Sequence, residues 1–397
     1  MTATTTVPTT SARRGRTRVG AIVSVVAAIA SAGALTACGS PASSATSAGG
    51  ASAGTAAVSL ATSLDGTGDT WAILPVSANP SYWEVFVRPT RSATWKLVTP
   101  PGVADNGGLV AASTGGSLTV AVRPSQSLLF SPLASTANAG ATWSTGGPLG
   151  AGVAASPGAL AADGDRLVAV LGDGTIVLSA NAGSSWQTVA KPGAIAASPA
   201  GRGCGTAAVA SVSFGVTDSQ LLAAGSCGTS GTTAIFSYTA SGGWQRLSLP
   251  VSGPLVRFAP GLALVRATAG LTALWNGGWY AYAPLASTAT LPAPRWTASA
   301  PLPVTGTITA SGTLAGGGAW LLLPGGRAAT IGGPGQQWLL LPPVPAKTSV
   351  LAAGPNGAVD ALAVSGATLT VWRLAHGATV WTKIQAIAVP VQYGSSS

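Results

Sequence analysis

Seven tryptophans divide this 397-residue chain at nearly regular steps. Trp95, Trp143, Trp186, Trp244, Trp296, Trp338 and Trp381 each stand at the end of a strand-like run, at intervals of 42 to 58 residues. Two of them close the same eight-residue box: TANAGATW at Thr136–Trp143 and SANAGSSW at Ser179–Trp186. A period of about 40 to 50 residues marks a repeat architecture, in which each unit buries its apolar face only against its neighbours. The units read as strands. Long helices want Glu among their formers, and Glu occurs once here, at Glu84. A chain rich in Thr, Val and Trp and punctuated by 54 Gly and 28 Pro is all-β.

One repeat shows the internal grammar. In ALAADGDRLVAVLGDGTIVLSANAGSSWQTVAKPG, Asp163-Gly164 makes a turn and Arg166–Leu171 a strand. Asp173-Gly174 makes a hairpin of the type that needs positive φ. Thr175–Ser179 returns, the box turns the chain again, and Gln187–Ala190 is the outer strand. The last repeat, with Asn356-Gly357 and Ser365-Gly366, scans alike. Four strands per unit and seven units predict a β-propeller over residues 58–397. The expected blades are Thr70–Val103, Gly108–Val153, Ala154–Gly193, Gly203–Gly253, Pro254–Gly306, Thr307–Thr348 and Ser349–Val391. A pair of sandwiches, a β-helix, or a ring of six or eight blades are the alternatives. A ring must close, and Ala57–Ser63 is expected to pair with the last blade so that the two chain ends share a sheet.

The two boxes resemble the Asp-box of sialidase-type (BNR) propellers, Ser/Thr-x-Asp-x-Gly-x-x-Trp, with Asn138 and Asn181 in place of the Asp. The resemblance implies a structural role on the outer hairpin of a blade. Thr136, Asn138, Gly140 and Trp143, with Ser179, Asn181, Gly183 and Trp186, are its residues. The carboxamides bond to amides of their own turn. Gly140 and Gly183 supply the left-handed conformation, and Trp143 and Trp186 fill space between sheets. Elsewhere the box has decayed to GPGQQW, SYTASGGW and RPTRSATW.

Enzymes of that family use three arginines, an acid/base Asp and a Tyr activated by a Glu. Here Tyr82 and Glu84 share one strand, whereas the family draws this pair from different blades. Arg88, Arg123, Arg166, Arg202, Arg246, Arg257, Arg266, Arg295, Arg327 and Arg373 are spread over most repeats, and no spacing picks out three. A single histidine, His376, leaves no His cluster. The aspartates, Asp360 among them, read as turn formers beside Gly. No catalytic, cofactor-binding or metal-binding residue is assigned.

The N-terminus carries an address. The basic stretch RRGRTR precedes the apolar run Val19–Leu35, which is short and rich in small residues, as in a signal peptide. Leu35-Thr36-Ala37-Cys38-Gly39 resembles the bacterial lipobox. The resemblance implies cleavage before Cys38 and a diacylglyceryl group on its thiol. Residues 1–37 are then a leader and residues 38–57, GSPASSATSAGGASAGTAA after the Cys, a tether that cannot bury enough surface to fold. The Ala/Gly/Arg bias and low charge resemble actinobacterial composition. Cys204 and Cys227, an even pair outside the cytoplasm, are expected to form a disulfide.

Four of the nineteen basic residues lie in the leader, and the others are scattered, so no nucleic-acid partner is expected. Trp275, Trp279, Tyr280 and Tyr282 cluster around Asn276-Gly277. They are the candidate recognition surface, with packing between blades as the alternative. The reading is an exported lipoprotein on the outer face of a bacterial cytoplasmic membrane. Its propeller is a non-catalytic binding or scaffold module for a protein or an envelope glycan. A sialidase-type glycoside hydrolase is the alternative, and a factor assisting assembly of membrane complexes is a variant of the first.

Overall fold

The computed structural model describes residues 62–65, 68–76, 83–100, 109–114, 116–122, 133–146, 157–204, 207–215, 220–228, 231–259, 262–267, 270–276, 296–303, 307–314, 318–333 and 336–389. They form seven four-stranded antiparallel sheets, each a meander of consecutive strands. Blade A is β1 (Thr62–Asp65), β2 (Thr70–Pro75), β3 (Trp83–Arg88) and β4 (Lys96–Leu97). Blade B is β5 (Leu109–Thr114), β6 (Ser117–Val122), β7 (Leu133–Thr136) and β8 (Ser144–Gly146). Blade C is β9 (Pro157–Asp163), β10 (Arg166–Leu171), β11 (Ile176–Ser179) and β12 (Gln187–Ala190). Blade D is β13 (Ala207–Phe214), β14 (Leu221–Cys227), β15 (Thr232–Thr239) and β16 (Gly243–Leu247). Blade E is β17 (Leu255–Ala259), β18 (Leu262–Ala267), β19 (Gly270–Asn276) and β20 (Trp296–Ala298). Blade F is β21 (Ala310–Leu314), β22 (Gly318–Leu323), β23 (Arg327–Ile331) and β24 (Leu339–Leu340). Blade G is β25 (Thr348–Ala353), β26 (Val359–Ser365), β27 (Thr368–Leu374) and β28 (Thr382–Ala388).

The first strands of successive blades touch one another all the way round, from β1 to β5 and on to β25, which returns to β1. This is a seven-bladed propeller with the first strands innermost. The only α-helix among the described residues is the single turn Ala194–Ala197. No described helix is long and apolar enough to cross a membrane.

The meander fixes two ends of the ring. Hairpins between first and second strands, and turns between third and fourth, lie at one end, here the box end. Hairpins between second and third strands, and the links to the next blade, lie at the other, the crossover end.

Two expectations are corrected. Blade A begins at Thr62, because β1 is its own innermost strand, with Thr62 opposite Ile73 and Ser63 opposite Ala72. Thr62 and Ser63 therefore do not pair with the last blade, which completes its four strands from residues 348–388. Among the described residues no sheet is shared between the chain ends. Strand β1 also packs beside β21, two blades back around the ring. There Thr62 Oγ1 donates to the Ser311 carbonyl (3.0 Å), and the Trp320 indole N–H donates to Ser63 Oγ (2.7 Å).

The core lies between blades. Separate apolar clusters join A to B, B to C, C to D, D to E and E to F, and one cluster spans F, G and A. Each recurrent tryptophan opens the fourth strand of its blade and packs into the cluster shared with the preceding blade. Trp143 serves A/B, Trp186 B/C, Trp244 C/D, Trp296 D/E, Trp338 E/F, Trp381 F/G and Trp95 G/A. Three reach across by hydrogen bonds as well: Trp143 Nε1 to the Val98 carbonyl (2.9 Å), Trp381 Nε1 to that of Pro342 (3.4 Å) and Trp95 Nε1 to Asp360 Oδ2 (2.9 Å). The period of the sequence is thus the period of the interfaces.

Cys204 and Cys227 form a disulfide, with Cα atoms 4.7 Å apart. It ties the C-to-D link to the end of β14.

Candidate functional site

The two boxes have the same geometry. Thr136 and Ser179, both buried, close β7 and β11 and accept the amide of a glycine four residues on, Gly140 (3.0 Å) and Gly183 (2.9 Å). Asn138 Oδ1 accepts the Thr142 amide (2.9 Å), and its Nδ2 donates to the Thr142 hydroxyl (2.8 Å). Asn181 holds Ser185 in the same way, at 3.0 and 2.9 Å. Two successive residues take the left-handed conformation, Ala139 with Gly140 and Ala182 with Gly183, so the turn asks this of an alanine as well. A Cβ on Gly140 would come within 2.4 Å of the Val98 side chain of blade A. The turn itself is seated on the preceding blade.

Blades A and G meet in a side-chain clasp that local sequence gave no sign of. Asp360, in β26, is fully buried. It accepts two bonds from Arg373, Nε to Oδ1 (2.7 Å) and Nη2 to Oδ2 (2.8 Å), and one from the Trp95 indole N–H (2.9 Å). Arg373 also donates to the Ala93 carbonyl (3.1 Å). Gln385 accepts the Trp95 amide (2.8 Å) and donates to its carbonyl (2.9 Å). Arg88 adds a bond to the Ala353 carbonyl (3.0 Å). The reading of Asp360 as a turn former is corrected. It is a buried charge answered by a guanidinium and an indole, as a buried carboxylate must be.

The innermost strands read TSLD, LVAAST, PGALAAD, AAVASVSF, LVRFA, ASGTL and TSVLAA. Small apolar and hydroxyl residues predominate in them, Arg257 is their one arginine, and Asp65 and Asp163 end β1 and β9. Arg88, Arg166, Arg246, Arg266, Arg327 and Arg373 sit on second, third or fourth strands, and Arg202 in a link, so the described arginines do not gather three at the axis. Arg257 Nη1 donates to the Ser311 carbonyl (3.0 Å), the acceptor that Thr62 also uses. Burial brings its pKa down to about 10.

Glu84 is buried in β3. Thr99 accepts the Val85 amide (2.9 Å) and donates to the Glu84 carboxylate. Burial raises the Glu84 pKa, and the Thr99 bond offsets this only in part. Its proposed neighbour Tyr82 lies outside the described residues. So do Cys38, residues 1–37, the tether 38–57, Trp279, Tyr280, Tyr282 and the side chain of Trp275. His376 is exposed in the turn before Trp381. Among the described residues no three His, Cys, Asp or Glu come together as metal ligands.

No family model matches the chain, and no curated protein does. Solved structures do. A protein from Lactobacillus plantarum shares 10% identity at a TM-score of 0.50, over 81% of this chain and 96% of its own. YCF48 from Cyanidioschyzon merolae shares 14% at 0.40, over 79% and 98%. The fucose-specific lectin from Aleuria aurantia shares 14% at 0.38, over 72% and 96%. At such identity the first likeness speaks of the fold alone, and the other two say nothing about a ligand.

Proposed function

We propose that this chain is an exported bacterial lipoprotein, anchored through Cys38 to the outer face of the cytoplasmic membrane. Its propeller acts there as a non-catalytic binding or scaffold module. The makeup of the innermost strands carries the reading. Where a glycosidase would gather charge, these strands offer mostly Ala, Val, Leu, Ser and Thr, one arginine already bonded to a carbonyl, and two aspartates at strand ends, of which Asp163 is paired with Arg166. A ring plugged by tryptophan at every interface is a stiff platform, and stiffness lowers the ordering cost of binding. The partner is a protein or an envelope glycan. Asn276 ends β19 at the box end, and the segment bearing Trp279, Tyr280 and Tyr282 follows it in the chain. Trp and Tyr suit either kind of partner.

The test pairs two assays on the full chain purified from membranes. Mass spectrometry of the N-terminal peptide should find a diacylated Cys38. A fluorogenic sialoside should be left intact, while purified envelope glycan or a cross-linked membrane protein is retained in a saturable way and lost on replacing Trp279 and Tyr280 with Ala. Turnover of the sialoside would overturn the binding reading, and an unmodified Cys38 the anchoring.

A further inference from the structure

The two ends of the ring differ in charge. At the box end cations and acids come near to balance: Arg373 is paired with Asp360 and Arg166 with Asp163, and Arg88, Arg91, Lys96 and Lys383 lie there with Asp65, Asp69 and Asp165. At the crossover end, Lys191, Arg202, Arg327 and Lys347 are exposed and Arg266 partly so. Of the two acids described there, Asp173 is held by its own turn through the Thr175 amide (2.8 Å) and hydroxyl (2.9 Å), and Glu84 is buried and bonded to Thr99. None of these cations is in an ion pair among the described residues.

A second observation falls at the same end. Strand β1 runs from the crossover end to the box end, so Thr62, where the chain arrives from Cys38, stands at the cationic end. The 23 intervening residues span at most about 80 Å.

We infer that the crossover end of the propeller rests on an anionic bilayer, the one that holds the Cys38 lipid. The inference rests on the lipoprotein reading for its geometry. Scattered cations gain little from any single phosphate. They gain together when a lipid anchor keeps them within a Debye length of a charged surface. Acyl chains and a basic patch are the two signals that make peripheral anchoring stable. The box end then faces outward, free for a partner.

Lysine reactivity tests this. The full chain is mixed with vesicles of phosphatidylcholine, alone or with an equal part of phosphatidylglycerol, and treated with an amine-acylating reagent. Lys191 and Lys347 should label several-fold more slowly on the anionic vesicles, with the difference erased by high salt. Lys96 and Lys383, exposed at the box end, should label equally on both. Equal labelling of all four lysines on both vesicles would overturn the inference. Protection by soluble dextran sulfate with none by anionic vesicles would overturn it too, and would assign the end to an acidic polymer. The same spectra report the mass on Cys38, so an unacylated chain sinks the anchoring reading separately.

Discussion

Asn138 and Asn181 each use one carboxamide to close a turn in two directions, accepting an amide and donating to a hydroxyl. Asn181→Asp keeps the acceptor, and the Ser185 hydroxyl can rotate to donate to the second oxygen. We expect that variant to stay within about 0.5 kcal/mol of wild type in denaturant unfolding, whereas Asn181→Ala should lose about 1–2 kcal/mol. Glu84 offers a second test. Burial raises its pKa, so the folded chain keeps a proton that the unfolded chain has released. Stability then falls as pH rises from the ordinary carboxylate range through the raised value. Gln has no such slope and still accepts from Thr99. The gain of Glu84→Gln over wild type should therefore grow from pH 4 to pH 8 in parallel melts, and a constant gain would refute the assignment. The boxes were legible because all their bonds fall within eight residues. Asp360 was misread because its partners, Trp95 and Arg373, arrive from another blade and another strand.

At the scale of the strand, the fourth-strand tryptophan is the recurring device. Every interface needs one large plug at the same height, and this need preserved seven tryptophans while five of the boxes around them decayed. That is why blade number and most boundaries could be read in advance. The closure could not. Gln385 and Trp95 are 290 residues apart, and nothing local in QAIAV announces an interface. The four residues of β1 are too few to show which sheet they join, so Ala57–Ser63 reads in the sequence as a partner of the last blade. Trp95→Ala removes a fully buried plug and leaves Asp360 short of a donor, so about 3–5 kcal/mol should go. Arg373→Met, which strands the buried carboxylate, should cost a similar amount. The double variant should fall well short of the sum, because both act on one carboxylate. A double-mutant cycle by chemical denaturation measures this. The Cys204–Cys227 bridge closes a loop of 23 residues and should be worth about 3 kcal/mol against a Cys-to-Ser pair.

Across the whole molecule, Thr62 and Ala388 both stand at the crossover end, where the links between blades also run. Joining the two ends through a flexible linker and opening the chain in the F-to-G link, within 342–346, should give a ring that folds with the same seven sheets. Near- and far-ultraviolet circular dichroism and melting would check it, and a variant that loses cooperative melting would count against the closure described above. Closure by side chains has a hereditary consequence. Each blade is one uninterrupted stretch of chain with all its backbone bonds inside it. A duplication or deletion of a single repeat in the gene then adds or removes a finished sheet, and only a handful of contacts at one seam must be rebuilt. Where the two ends of a chain share a sheet, such an event must keep the shared strand in place. Here blade number and chain start can drift independently, and the seam of Trp95, Asp360, Arg373 and Gln385 is where lineages with more or fewer repeats would show their differences first.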